Sequence, residues 1–471
     1  MKTVRVQNLL AIALACGLGL TCMNLFAQQV ASPTRLPIGP PLPASNQYRS
    51  LPRGPLPLVR PQVADPSILV HIVQSYDGVD FLSSNCGCLP PDTNAAVGNN
   101  FVVEAVNVQI RIFDKLTGAV LLDEPLSTFF GAASGGDPYV VYDDIAGRWY
   151  VTAFDSSDAG LFLAVSNDSS PLDGFQTYDL TGVGGFPDYQ KIGYNKDAIF
   201  VSYNDFGSGG GALSIASIDK AAIFSGTLKY YVSVPSFQFR AMPPAQMHGD
   251  KKGGVEWFVS TDGTDAGGTT IRVTKMTNYL GNSPAFTYTS LPVAQYSQAT
   301  TADQPGGAGT VTVFPNTTTT QVQFRRGKLL TAMASATAAD GFVYPKGLYY
   351  VVNVNHLTPV LLKQGVIDPG PGVAVQMVSV DQDSNGHLGL TWMESSINEY
   401  LSMWVGNKNK RLRTDAAPGL GFFYYGFRIG DYSSIVIDPS DGITFWAANE
   451  YIGADGDTDI WRTHITSFTE Q

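Results

Sequence analysis

The chain has 471 residues and a mass of 50.4 kDa, too long for a small disulfide-stapled module and long enough for one large core or several ordinary ones. Hydrophobic residues at 44% and charged residues at 15% exclude a disordered chain and a coiled coil, while 49 Gly, 22 Tyr and 25 Phe favour turns and strands. The formal net charge of −11 disfavours nucleic acid and anionic membranes as partners, and fits cations and neutral or basic ligands better.

Residues 1–27 have the form of a secretory signal: Lys2 and Arg5, an apolar run from Leu9 to Leu20, then Leu25-Phe26-Ala27 as a cleavage site. The run is short for a membrane span, and no later stretch approaches the required length. The mature chain is therefore expected to be secreted, periplasmic or extracellular, without membrane insertion. A lipoprotein signal fits poorly, because Leu20-Thr21 precede Cys22 where a small residue is wanted. Losing the two basic residues of this segment takes the net charge from −11 to −13. Residues 28–66 are dense in Pro and predict an extended linker or surface arm. Cys86 and Cys88, in NCGC, are then the remaining cysteines. A disulfide or two thiols is the favoured state, since no His or Cys cluster completes a soft-metal site.

From about residue 67 onward strands follow one another. Helical candidates are confined to one or two turns at 219–224 and 394–400. A loose repeat joins an apolar strand, a polar turn and a second apolar or aromatic strand. Its copies occupy 94–107, 139–154, 190–204, 247–260, 322–335, 377–392 and 434–449, with turns near 99, 144, 196, 251, 326, 384 and 440. Two further strands follow most copies. Four strands in about 50 residues is the arithmetic of a propeller blade. The expected fold is an all-β seven-bladed β-propeller, with six or eight blades or tandem β-sandwiches as alternatives. It would form a single domain over 67–471, with the Thr- and Gly-rich stretch 299–320 as a surface insert.

Several of these segments resemble a group of secreted bacterial propeller-like proteins that have no assigned reaction. The matching stretches are CGCLPPDTNAAVG, GGDPYVVYDDIAGRWYV, GFPDYQKIGYNKDAIFVSYN and GDYSSIVIDPSDGITFWAANEY. The group's usual forms are PPDTNGAVG, DPxVxYDxxxxRW, FPDYPKIG and GDYSxxxxDPxDxxTFW. The resemblance runs from about 86 to 468. It departs at Ala95, where Gly is usual, and at Gln190, where Pro is usual. It implies the fold and export, and transfers no chemistry.

Asp92, Asp137, Asp188 and Asp431 each stand just before the first strand of a repeat. In a propeller such positions meet around one channel mouth. Four carboxylates there repel one another unless a cation lies among them or some are protonated. An oxygen cage of this kind suits Ca²⁺, and a pair with separated pKa values suits glycoside cleavage. An Asp at a strand start also commonly caps a loop, which is the favoured reading. Tyr189 and Tyr432 follow two of these residues, either as a stacking surface for a ligand or, preferably, as packing between blades. Trp149, Trp257, Trp392 and Trp446 recur on second strands, as core residues would. Asp381, Asp383 and Asn385 mimic a calcium loop that lacks its closing Glu and fit a plain turn better. Asp455, Asp457 and Asp459 have calcium-loop spacing at low specificity. No nucleophile elbow, P-loop or paired-His metal motif occurs. The sequence thus favours a propeller that binds an extracellular ligand, glycan or protein, without turnover. A glycan-cleaving enzyme using the aspartates, and a structural or adhesive surface component, are the alternatives.

Overall fold

The computed structural model describes residues 70–470 apart from 133, 156–159, 208–211, 237–240, 262–266, 308–309, 312–317, 339–340, 408–412, 422–427 and 456–457. The signal 1–27 and the arm 28–66 lie outside the described residues. Strands β1 (His71–Asp80) and helix α1 (Phe81–Ser84) come first. The next unit is β2 (Asn94–Val97), β3 (Phe101–Val106), β4 (Gln109–Asp114) and β5 (Val120–Pro125), followed by α2 (Leu126–Phe130). Then come β6 (Ser134–Asp143), β7 (Arg148–Asp155), β8 (Leu161–Ser166) and β9 (Phe175–Leu180). The following unit holds β10 (Pro187–Tyr194), β11 (Ala198–Asp205), β12 (Ala212–Asp219), α3 (Lys220–Phe224) and β13 (Tyr230–Ser233). After it lie β14 (Ala245–Met247), β15 (Glu256–Thr261), β16 (Gly268–Thr277) and β17 (Ala285–Tyr296). Next are β18 (Val322–Arg325), β19 (Lys328–Ala336), β20 (Pro345–Asn353) and β21 (Val360–Ile367). The chain closes with β22 (Ala374–Gln382), β23 (Leu388–Ser396), β24 (Glu399–Asn407) and β25 (Arg413–Ala417), then β26 (Ser434–Ile437), β27 (Phe445–Asp455) and β28 (Thr458–Thr469).

Within each unit the strands pair antiparallel in sequence order. The exception is β14, which pairs in parallel with β10 and β18 and so joins two units into a nine-stranded sheet. Gly193 permits that approach, since a Cβ there would lie 2.6 Å from the Ala245 carbonyl oxygen. The first strands β2, β6, β10, β14, β18, β22 and β26 are neighbours in that order, and β26 also lies beside β2. Strand β1 pairs with β28 on the far side of the last sheet, tying the beginning of the described chain to its end. The fold is all-β and propeller-like.

Six of the seven predicted hairpins are present as antiparallel strand pairs; at 247–260, β14 and β15 belong to different sheets, and only an isolated bridge between Pro244 and Phe258 links their ends. Trp149, Trp257, Trp392 and Trp446 are buried. Trp149 packs among Val103 and Ile112, Trp392 among Leu330 and Val351, and Trp446 among Ala95 and Phe113, in each case side chains of the adjacent sheet. The helix expected at 219–224 forms as α3, with the Asp219 side chain accepting from the Ala222 amide. The candidate at 394–400 is instead the β23–β24 turn. Leu401, Met403 and Val405 alternate with period two, which suits a strand. The stretch 299–320 also differs from expectation. Ala302 and Val311 are in the core with Val106, Met377 and Ile429. The Thr319 and Thr320 hydroxyls donate to the carbonyls of Val259 and Val378, at 2.8 and 2.5 Å. Short Ala and Thr side chains let this segment enter the space beside the first strands, so its described part is no surface excursion.

Charge is buried between units as well. Lys220 donates to Asp143 and to the Asn195 carbonyl, and its ammonium lies near the rings of Tyr150 and Tyr194. Asp143 is fully buried and also accepts from the Tyr150 hydroxyl at 2.7 Å. Removing one member of such a pair leaves a dehydrated charge without its partner. Lys220→Met is expected to destabilise the protein by about 3–5 kcal/mol, read as a lower midpoint in urea unfolding with an unchanged slope.

Candidate functional site

The four predicted aspartates come together. Asp92 and Asp431 are buried, at 2% and 5% exposure, while Asp137 and Asp188 are half-buried. The Asp431 amide donates to Asp92 Oδ1 at 3.1 Å. Asp137 Oδ2 accepts from the Tyr189 amide and from the Tyr432 hydroxyl, each at 3.0 Å. Asp137 and Asp188 share a side-chain hydrogen bond. Asn107, from the β3–β4 turn, links the group: its amide nitrogen donates to Asp92 Oδ2 and its oxygen accepts from the Asp137 amide at 2.8 Å. Cys86 and Cys88 are joined by a disulfide, and both sulfurs lie against the Asn107 carbonyl oxygen.

The backbone at these positions is left-handed in three site residues: Asp92 at φ 53°, Asp137 at φ 50° and Tyr189 at φ 56°. A left-handed Asp is tolerated, whereas a left-handed Tyr is strained. Both Asp137 and Tyr189 sit within bulges, between the paired residues Gly136 and Tyr139 and between Asp188 and Lys191. Asp137 therefore aligns with Tyr189, and Asp188 stands one residue earlier.

Sequence reasoning missed the cations at this site. Lys191 is 1% exposed. Its ammonium lies 3.2 Å from the centroid of the Tyr189 ring and 4.3 Å from that of Tyr432, a two-sided cation–π contact. Arg428 reaches Asp431 Oδ2 at 2.7 Å. Burial, reinforced by the charges of Asp431 and Asp137, pushes the Asp92 carboxyl well above its ordinary value. Burial and the neighbouring Asp137 push Asp188 up to about 8. Burial raises Asp431 to about 7 against the pull of Arg428, and raises Glu450, which accepts from the Gly430 amide, to about 8. Burial lowers Lys191 to about 7 although all four aspartates oppose it. The only sequence signal for Lys191 was its place two residues after Tyr189, inside the FPDYQK motif.

The group does not fit Ca²⁺. Arg428 already pairs with Asp431, the Lys191 ammonium lies against the Tyr189 and Tyr432 rings beside the aspartates, and Asp92 and Asp137 accept from protein amides. Among the described residues no three acidic, His or Cys side chains are placed to hold a metal ion. Asp381 forms a bidentate pair with Arg325, and Asp383 caps its own turn by accepting from the Asn385 and His387 amides. Asp457, and the side chains of Asp455 and Asp459, lie outside the described residues. Tyr432 is a buried core residue, and Tyr189 packs against the same cluster.

A cavity of about 710 Å³ opens at the other end of the first strands. It is lined from the turns near 99, 144, 251, 326, 384 and 440, the positions that the sequence repeat had marked. Asp144 accepts from the Tyr194 hydroxyl at 2.7 Å and from the Gly249 amide at 3.1 Å, and lies 3.2 Å from His248 Nδ1. Although burial acts to raise it, the His248 contact and these hydrogen bonds hold the Asp144 carboxyl below its ordinary value. His248 Nε2 faces Gln323 Oε1 at 2.7 Å, while Gln323 Nε2 faces the Ile435 carbonyl. The glutamine orientation thus makes Nε2 the donor.

No family model matches the chain, and no curated protein matches it. Among solved structures, the extracellular domains 1-2 of Drosophila Semaphorin 1b align at 8% identity and TM-score 0.41, covering 85% of this chain and 87% of that one. The WD40 domain of SCAP from fission yeast aligns at 9% identity and TM-score 0.33, covering 86% and 97%. A PL25 ulvan lyase aligns at 12% identity and TM-score 0.35, covering 84% and 95%. All three scores lie below 0.5, so the fold rests on the sheet topology of the chain itself. Among the described residues no helix is long and apolar enough to cross a membrane.

The raised carboxyls bind protons more tightly folded than unfolded. Their contribution to stability is complete below the ordinary carboxyl range near about 4 and is lost as pH rises to about 8. Lys191 acts in the opposite sense, its penalty easing only above pH of about 7. The melting temperature is therefore expected to fall between pH 5 and 7 in thermal scans, and Asp188→Asn to flatten that fall. Because Lys191 and Arg428 already occupy the cation positions beside the aspartates, treatment with EDTA is expected to leave the melting temperature unchanged; a drop of several degrees would restore a metal to this site.

Proposed function

We propose that the chain is a secreted seven-bladed β-propeller that binds an extracellular ligand without turnover, at the open mouth lined by Asp144, His248 and Arg325. Seven four-stranded blades follow if β14 is taken as the first strand of the unit containing β15–β17, with β1 completing the last blade. The apolar run and cleavage site in residues 1–27 support export, as does the resemblance to secreted bacterial proteins.

The observation that carries the reading is the contrast between the two ends of the first strands. At the aspartate end, Lys191 and Asp431 are buried, Asp92 and Asp137 accept from protein amides, and Ala302 and Val311 of 299–320 pack with Val106 and Ile429. At the other end a 710 Å³ cavity stands open, a size suited to a small ligand or a short stretch of a longer one. Glycoside cleavage needs two carboxyls about 5–9.5 Å apart. Asp137 and Asp188 instead share a hydrogen bond, so this pair does not have that spacing.

A glycan array read alongside a polysaccharide-degradation screen tests this. Retention of at least one ligand class with no cleavage products is expected, and His248→Ala should weaken retention tenfold or more. Cleavage products abolished by Asp188→Asn would replace binding with catalysis at the opposite end.

A further inference from the structure

We infer that the open mouth is an anion site, and that its ligand is an acidic glycan carrying carboxylate or sulfate groups; this rests on the binding role proposed for that mouth. The inference comes from which polar groups there are already engaged. Four carboxylates line the cavity, and each is occupied by donors of the protein. Asp144 is held by Tyr194, His248 and the Gly249 amide. Asp250 accepts from the Lys252 and Gly253 amides at 3.0 and 3.1 Å. Asp383 accepts from two amides of its turn and lies 3.0 Å from His387 Nδ1. Asp438 accepts from Lys115 at 2.9 Å, from Ser440 and from the Trp446 indole at 3.1 Å.

The cations differ. Lys251 and Lys252 are exposed, line the cavity and have no ion-pair partner among the described residues. Arg326, also exposed, donates one nitrogen to the Ser384 carbonyl and has no carboxylate partner there. Arg325 is fixed beside them by Asp381. The charged groups of the mouth left without a carboxylate partner are thus cationic donors, from two adjacent turns on one side of the opening. The complement is a ligand rich in acceptors and negative charge.

A saccharide fits the remaining surface. Phe324 lines the cavity half-buried and gives one apolar face for a sugar ring. Tyr142, the other aromatic residue lining it, is 7% exposed, so the mouth lacks the succession of stacking rings by which single-stranded nucleic acid is held.

The full secreted chain is titrated by calorimetry with polygalacturonate, dextran sulfate and neutral dextran. Polygalacturonate and dextran sulfate report the carboxylate and sulfate sources separately. Binding of at least one polyanion, none of dextran, and at least tenfold weakening from 50 to 500 mM NaCl are expected. The double variant Lys251→Ala/Lys252→Ala and the variant Arg326→Ala should each lose affinity at least fivefold with an unchanged melting temperature. Lys252→Glu should lose more, and Lys252→Arg should retain affinity. Dextran bound as tightly as the polyanions, and weakened by His248→Ala, would overturn the anion assignment while leaving the binding role intact. Polyanion binding unaffected by any of these substitutions would place the anion site elsewhere and overturn the inference. Failure of all three polymers to bind would overturn it together with the glycan form of the proposed role.

Discussion

An ammonium group and four carboxyl groups drawn from four sheets share one dehydrated space at the strand starts, and none of them is stable there alone. Removing any one charge from water costs several kcal/mol, which mutual attraction offsets only when geometry is close and the remaining polar atoms are engaged. The structure meets that condition in part, through three devices, while Lys191 Nζ and Asp431 Oδ1 have no hydrogen-bond partner among the described residues. Protonation is favoured on Asp188 and Asp431, the Tyr189 and Tyr432 rings flank the ammonium, and Asn107 holds two aspartate-bearing segments together. Each device joins residues of different units, so the charge cluster also fixes how neighbouring sheets meet. The left-handed backbone at Asp92, Asp137 and Tyr189 belongs to the same constraint. It turns side chains and amides inward at the point where the strands converge, at a conformational cost the surrounding contacts must offset.

The Lys220–Asp143 pair repeats this logic between β6 and the unit of β10–β13. There the lysine comes from a short capped helix and the aspartate from a strand end. Ionic groups of this sort add little to net stability compared with apolar packing of equal volume, but they penalise every arrangement that separates them. In a fold built from similar sheets, the apolar clusters between units are chemically alike. Register between units can then be set by the few polar contacts that only one arrangement satisfies.

Much of this was legible in the sequence. Apolar runs separated by polar turns marked the hairpins, because strands packed between neighbouring sheets are buried on both faces. The repeat then placed the aspartates at equivalent strand starts, within one residue. Other features left no such mark. A single Lys191 in an apolar strand resembles a surface lysine until the partners contributed by other units are known. The Ala- and Thr-rich composition of 299–320 is that of a loop, yet small side chains are also what a crowded interior space admits. The short β14 pairs in parallel with strands of its neighbours because Gly193 allows the approach, a tertiary circumstance without a local signature. The cavity residues were visible as turn positions, but only strand direction reveals that these turns share one end.

Net charge misleads for a related reason. A formal charge of −11 governs the long-range field and predicts repulsion of polyanions. Binding in a cavity is decided at contact distance, by which groups still have hydrogen-bonding capacity to offer. Here turn geometry consumes the carboxylates, since an Asp at a hairpin turn can accept from amides two or three residues ahead. Lys and Arg cannot cap a turn in that way, as they have no acceptor. A ring of hairpin turns therefore engages its own acids first, leaving them ionised but with their acceptor positions taken. An acidic protein of this architecture can thus present a mouth whose unpaired charged groups are Lys and Arg side chains.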